Sequence, residues 1–206
     1  MIKNIIFDFD GVILDSMPTR DYGFREIFKE FDNNLVEKLI DYHNINGGLS
    51  RFVKIRYFYE ELLNKNISDN EVQLLANSFS KIMKNELIKK KYLITNTVEF
   101  IINNHIKYNL HIASGSEHNE LNYLCEKLEL KDFFLTINGS PIKKNIIVEN
   151  IINHNNYLKN ETILIGDSIN DYEAAQANQI KFYGFNNLEL KRLDSYINDF
   201  GEVVFD

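Results

Sequence analysis

Ile2-Lys3-Asn4-Ile5-Ile6-Phe7-Asp8-Phe9-Asp10-Gly11-Val12 is the stretch whose reading decides the fold. Residues 2–7 are a short, β-rich apolar run that stops at acids and a glycine, the pattern of a buried strand feeding a loop. In a doubly wound sheet, ligands sit outside the carboxyl ends of the strands. Asp8 and Asp10 therefore stand where such a fold does chemistry. Strand alternation predicts that their side chains leave the sheet in the same direction, and Gly11 permits a tight turn with close backbone approach. A carboxylate placed after an apolar run is costly to bury without a partner, so Asp8 reads poorly as a simple turn residue.

Working outward, similar apolar runs recur at 110–113, 133–137, 162–165 and 180–185. They lack clean polar alternation, as expected of parallel strands covered on both faces. Helical patterns fall between them at 97–107, 117–130, 145–158 and 170–177. From residue 92 onward strand and helix alternate, which predicts a parallel sheet built from right-handed crossovers. Residues 17–90 break the rhythm, with helical stretches near 18–31, 34–43, 50–64 and 70–90. The expected architecture is α/β: a Rossmann-like parallel-sheet core formed by 1–16 and 91–206, with an all-helical module of 17–90 inserted after the first strand.

The run at 162–165 ends in Gly166-Asp167-Ser168-Ile169-Asn170-Asp171, which brings two more carboxylates to the same sheet edge. Four acids at one edge repel one another unless a cation sits among them. Oxygen-only ligands favour magnesium, and with no His or Cys beside them zinc is disfavoured. The run at 110–113 ends in Ser114-Gly115-Ser116, where a hydroxyl and free amides before a helix suit a phosphoryl oxygen. Beyond 133–137 comes Gly139-Ser140-Pro141-Ile142-Lys143-Lys144, and a lysine there can balance charge on a phosphoryl group and an attacking carboxylate. Taken singly, Ser114 reads as a turn residue and Lys143 as a solvated charge; Asp15, Ser16 and Ser168 read as caps or turns.

These four segments, in this order, resemble the motifs of the haloacid dehalogenase superfamily: Asp8–Asp10, Ser114, Lys144 and Asp167–Asp171. The resemblance implies a magnesium-dependent phosphatase. Asp8 would be the nucleophile that forms an aspartyl-phosphate, and Asp10 the general acid and base. Asp8, the backbone carbonyl of Asp10, Asp167 and Asp171 would serve the metal. Ser114, Gly115, Ser116 and Gly11 would surround the phosphoryl group. Lys144 is the charge-balancing lysine, with Lys143 as the alternative. The helical insert resembles the cap of the phosphoglycolate phosphatase and β-phosphoglucomutase branch, in which a cap closes over the core and excludes water. Gly48-Leu49-Ser50-Arg51 resembles that branch's substrate-facing loop, so Arg51 is expected to meet a second anionic or hydroxyl group of the substrate. Arg20 and Lys54 are weaker candidates, and Lys54 and Arg56 are expected on a solvated helix face. Sugar phosphomutases carry a His where Arg20 stands, which weighs against a mutase. The expected substrate is a small organic phosphomonoester. A phosphomutase and a non-catalytic binding module are the alternatives.

Bulk composition agrees with this reading. Of 206 residues 44% are hydrophobic, enough for a sizeable core, and the formal net charge of -7 argues against a nucleic-acid partner. The single cysteine, Cys125, lies on a helical apolar stripe and reads as core; with no disulfide possible within the chain, nothing demands an oxidising compartment. No run approaches a membrane span or a signal peptide, so the expected location is cytoplasmic. Composition does not distinguish monomer from homodimer.

Overall fold

The computed structural model describes residues 1–203 and 205. Six parallel strands form one sheet in the order β3-β2-β1-β4-β5-β6. They are β1 (Asn4–Phe7), β2 (Asn109–Glu117), β3 (Thr136–Ser140), β4 (Thr162–Gly166), β5 (Lys181–Gly184) and β6 (Ser195–Tyr196). β1 is the pivot: it pairs with β2 on one side and β4 on the other. Strand order therefore reverses at β1, which places the topological switch point of the sheet at Asp8.

Successive β1 side chains feed opposite layers, as the period of two demands. Ile5 and Phe7 pack with Phe100, Leu121, Leu124 and Cys125 from α5 (Thr95–Asn104) and α6 (His118–Lys127). Ile6 packs with Val148, Ile151 and Ala175 from α7 (Lys144–His154) and α8 (Ile169–Asn178). Both faces are covered, which is why the strands read as continuous apolar runs. Cys125 is buried core, and burial pushes its thiol up to about 12.

Two strand positions differ from the sequence expectation. The run at 133–137 is broken by a 3-10 turn over Lys131–Phe133, so β3 starts at Thr136 and carries Gly139 and Ser140 to the sheet edge. β2 continues through Ser114, Gly115 and Ser116, with its register against β3 shifting between Ala113 and Glu117. These three residues are thus an irregular strand end rather than a loop.

Between β1 and β2 lies the helical insert: α1 (Met17–Ile27), α2 (Asn33–Ile45), α3 (Arg51–Tyr57), a π-helical turn (Phe58–Leu62) and α4 (Asp69–Glu86). Side-chain caps fix three starts: Asp32 accepts from the Asn34 amide, Ser50 from Val53, and Ser68 forms a reciprocal capping box with Glu71. The interior is aromatic. Phe28 stacks on Phe58 at 4.1 Å, and Phe24 meets Phe79 at 4.6 Å between centroids. Tyr57 stacks on Tyr42 at 3.7 Å, so Tyr57 and Phe58 serve packing within the insert. The chain leaves the core and returns side by side. The Asp15 amide donates to the Tyr92 carbonyl at 2.7 Å, and the Ile94 amide to the Ile13 carbonyl at 3.0 Å.

Phe58 is fully buried in this aromatic cluster. Phe58→Ala is expected to cost about 3–5 kcal/mol, the usual scale for a core aromatic, read as a lowered midpoint in urea unfolding.

Candidate active site

Register builds the first part of the site. Phe7 on β1 pairs with Ile165 on β4, so the residues just beyond these partners, Asp8 and Asp167, emerge side by side. The Asp8 amide donates to the Ile165 carbonyl at 2.9 Å and fixes the exit. Asp171 enters from the first turn of α8, where it closes a capping box: the Ser168 amide and hydroxyl donate to its Oδ2 at 3.1 and 2.6 Å. Carboxylate oxygens of Asp8, Asp167 and Asp171 all lie within 4.8 Å of one another. Gly11 has φ +75°, and a Cβ there would collide with the Asp167 carboxylate. Only glycine suits that turn on both counts.

Lys144 supplies the counter-charge. It opens α7, buried, with Nζ 3.0 Å from Asp8 Oδ1 and donating to Asp171 Oδ1. Lys143 is exposed and only precedes the helix, so of the two lysines Lys144 is the one beside Asp8. Burial first, then the charge of Asp171, pushes the Asp8 carboxyl up to about 7 against the pull of Lys144. Burial and then Asp8 raise Asp167 well above the carboxylate range. Burial opposes the charge on Lys144, yet Asp171 and Asp8 raise its ammonium above the ordinary lysine value. Three acids around one lysine leave an excess of negative charge in a buried place. A divalent cation among these hard oxygen donors would relieve it, so the residues present fit such an ion.

Asp10 goes elsewhere. Its carboxylate is outside the cluster, and alternation fails because the chain leaves the strand at Phe7. Oδ1 accepts from Ser16 and from Arg20 Nε at 2.7 Å, and Oδ2 from Ser116 Oγ at 2.6 Å. Burial raises the carboxyl, but the Arg20 charge and the Ser116 and Ser16 hydroxyls outweigh it, and Asp10 ends below its ordinary value. Any metal contact by Asp10 therefore falls to its backbone carbonyl. Ser16 serves Asp10 rather than capping α1, whereas Ser168 does cap α8. Ser114 is buried, and its Oγ accepts from the Ser116 amide at 3.1 Å, so that amide is not free as expected. The insert presses on this strand end: a Cβ on Gly115 would meet the carbonyl of Gly48. Gly48, Leu49, Gly115, Ser140 and Lys144 line part of an open cleft of about 540 Å³ between insert and core.

The insert departs from expectation at three charges. Arg51 is buried and already paired within the chain. It is 4% exposed, donates to Glu120 Oε2 and Oε1 at 2.6 and 2.7 Å and to Ser80 Oγ at 2.7 Å, and lies 4.5 Å over the Phe79 ring. Arg20 is buried on Asp10, Ser116 and Glu120. Lys54, expected in solvent, is 2% exposed, with Nζ 2.7 Å from His43 Nδ1 and 3.2 Å from the Gly47 carbonyl. Burial, then the charge of Arg20, lowers Lys54 to about 7. Arg56 does lie near the surface, with Glu60 and Asp69. Glu120 and His43 escaped the sequence reading. His43 continues the α2 stripe Val36, Leu39, Ile40, a visible sign of burial; Glu120 gives no such sign.

A family model described as haloacid dehalogenase-like hydrolase matches residues 5–185. No curated protein matches the chain. Among solved structures, a β-phosphoglucomutase from Clostridium difficile superposes with a TM-score of 0.78 at 19% identity, covering 100% of this chain and 94% of the other. A CbbY mutant from Rhodobacter sphaeroides in complex with xylulose-(1,5)bisphosphate gives 0.77 at 14%, covering 98% and 96%. A predicted phosphoglycolate phosphatase from Haemophilus somnus gives 0.72 at 16%, covering 98% and 96%.

Lys54 generates a stability prediction. From about pH 7 up to the ordinary lysine range, the unfolded chain holds a proton on Lys54 that the folded chain lacks, so stability rises with pH across this window. Lys54→Met removes that dependence. Its unfolding free energy relative to wild type is expected to be higher, that is more stabilising, at pH 7 than at pH 9 by about 2 kcal/mol, measured by chemical denaturation at the two pH values.

Proposed function

The chain belongs to the haloacid dehalogenase-like hydrolase family, and from that membership we propose that it is a magnesium-dependent phosphatase acting on a small organic phosphomonoester. The observation that carries the reading is the buried Asp8–Lys144 pair flanked by Asp167 and Asp171. A carboxylate attacks phosphorus only where positive charge screens the meeting of two anions. Lys144 provides part of that charge. A magnesium ion held by Asp8, Asp167, Asp171 and the backbone carbonyl of Asp10 would add charge neutralisation at the phosphoryl oxygens. The Rhodobacter protein's sugar bisphosphate supports a small phosphate ester as the class of ligand. The net charge of -7 speaks against nucleic acid, and no described helix is long and apolar enough to cross a membrane.

In this mechanism an Asp8 oxygen bonds to phosphorus as the ester oxygen departs with the bonding pair. Asp10 gives that oxygen a proton, so the products are a free alcohol and an aspartyl-phosphate on Asp8. Asp10 then takes a proton from the water that attacks phosphorus, and phosphate leaves with Asp8 restored. Ser114 and the backbone around Gly115 hold phosphoryl oxygens. In the arrangement described here Asp10 is an ionised partner of Arg20. It has to release an oxygen from Arg20 or Ser116 and take up a proton from solvent before it can donate to the leaving oxygen, so Arg20 acts as a positioning residue. The space beside Asp10, bounded by Arg20, Arg51, Lys54 and Phe79, is only about 20 Å³, room for about one water. Admitting a leaving group therefore requires the insert to swing away and close again, which is the action of a cap.

Asp8→Asn keeps the shape and removes the attacking charge; phosphate release is expected to drop by several orders of magnitude, with the far-UV circular dichroism spectrum unchanged. Near-wild-type turnover in this variant rules out the mechanism. Chelation of divalent ions is expected to abolish turnover, and magnesium to restore it better than calcium or zinc. Magnesium should also raise the melting temperature of the wild type, with the rise lost in Asp167→Asn. Full activity in excess chelator overturns the metal assignment. Product analysis separates phosphatase from phosphomutase: free phosphate marks the first, a relocated phosphoryl group the second.

A further inference from the structure

Glu120 is a carboxylate for which the chemistry above has no use, and it is the most enclosed charge outside the acid cluster, at 0% exposure. It projects from the first turn of α6, on the core side of the cleft. Two arginines converge on it from the insert. Arg51 on α3 grips both oxygens, Nη1 to Oε2 at 2.6 Å and Nη2 to Oε1 at 2.7 Å. Arg20 on α1 approaches Oε1 through Nη1 at 3.5 Å. Two parallel bonds to one carboxylate are the way a guanidinium recognises an external anion. Here the anion is built into the chain.

We propose that Glu120 is a specificity-determining residue: by filling the Arg51 fork with a fixed carboxylate from the core, it restricts the protein to phosphate esters whose leaving alcohol carries no second negative charge. This rests on the phosphatase reading and names the substrate class within it. A second phosphate or carboxylate on the leaving group would have to displace a bidentate pair. It would also strand Glu120, buried and unpaired, which is a heavy penalty. The remaining cations beside Asp10 do not offer an alternative seat. Arg20 is held by Asp10 at 2.7 Å and Ser116 at 2.8 Å. The Lys54 amine is tied to His43 and the Gly47 carbonyl, and burial favours its neutral form. Arg20 and Arg51 together balance Asp10 and Glu120, so an added anion upsets a neutral set, whereas a hydroxyl group does not.

Two esters of the same length isolate the effect. Glycerol 3-phosphate and 3-phosphoglycerate differ by one terminal group, an alcohol in the first and a carboxylate in the second. With magnesium present, wild type is expected to show a kcat/KM at least about tenfold higher for glycerol 3-phosphate, the scale of one charge-assisted pair. Glu120→Gln keeps the shape, removes the charge and leaves Arg51 free to pair with substrate. It is expected to shift the ratio toward 3-phosphoglycerate by about tenfold or more. A wild type that prefers 3-phosphoglycerate overturns the proposal, as does a ratio unmoved by Glu120→Gln. The same ratio is read by calorimetric binding to the Asp8→Asn variant, with and without Glu120→Gln, where no turnover is needed. Selective binding of glycerol 3-phosphate without any hydrolysis by wild type overturns the phosphatase reading alone. Equal binding of the two esters, or binding of neither at millimolar concentration, overturns the role of Glu120. Should Glu120→Gln fail to fold, the wild-type and Asp8→Asn preferences decide the matter.

Discussion

Three carboxylates held within 4.8 Å of one another at a buried sheet edge, with one ammonium between them, set the constraint around which the rest of this molecule is arranged. Like charges at that spacing in a poorly solvated place repel strongly. No isolated loop would keep them together. They are held because each is fastened by an element that cannot retreat: Asp8 by the strand at the switch point, Asp167 by the neighbouring strand, Asp171 by its cap on α8 and Lys144 by the start of α7. The hydrophobic layers on both faces of the sheet supply the free energy that keeps these groups crowded. The raised carboxyls of Asp8 and Asp167 register the strain that remains.

A few residues away the electrostatics follow a different rule. Asp10, Arg20, Glu120 and Arg51 alternate in sign and leave no net charge. This second set joins insert to core, and it is ionic where the interior of the insert is aromatic. Buried ion pairs add little to net stability against apolar equivalents but are unforgiving about geometry. An interface of this kind can part and re-form in one register, whereas a purely apolar contact would tolerate sliding. Charge excess thus marks the place where phosphorus would be attacked, and charge balance marks the seam.

Most of the architecture was legible in the sequence because its signals are local. Apolar runs without alternation gave the covered parallel strands, and the loss of that rhythm over 17–90 gave the helical insert. Asp8, Lys144, Asp167 and Asp171 were legible because strand ends gather residues that are distant in sequence, and the structure brings these four together. The direction of Asp10 was not legible: alternation holds only within a strand, and β1 stops at Phe7. The pairing of Arg51 and the burial of Lys54 were hidden for a related reason. A charged residue on a short helix reads as free, for solvent or for a ligand, unless its partner is known. The partners, Glu120 and His43, lie 69 residues along the chain in one case and on another helix in the other. Even the slide of β3 from 133 to 136 turns on a 3-10 turn that no apolar pattern encodes.

The outgoing and returning chain segments of the insert, bonded from Asp15 to Tyr92 and from Ile94 to Ile13, have a consequence for ancestry and folding. Because the two ends of the excursion meet, the sheet experiences the whole helical segment as a closed loop hung from a two-bond clasp. The entropy of closing such a loop grows only with the logarithm of its length, so lengthening or trimming the excursion costs the sheet little. A gene could therefore exchange this segment for another of different size, and keep the acids at the strand ends in place, provided the newcomer's termini fit the same clasp. The part of the protein that covers the acids is by this construction the part most readily replaced.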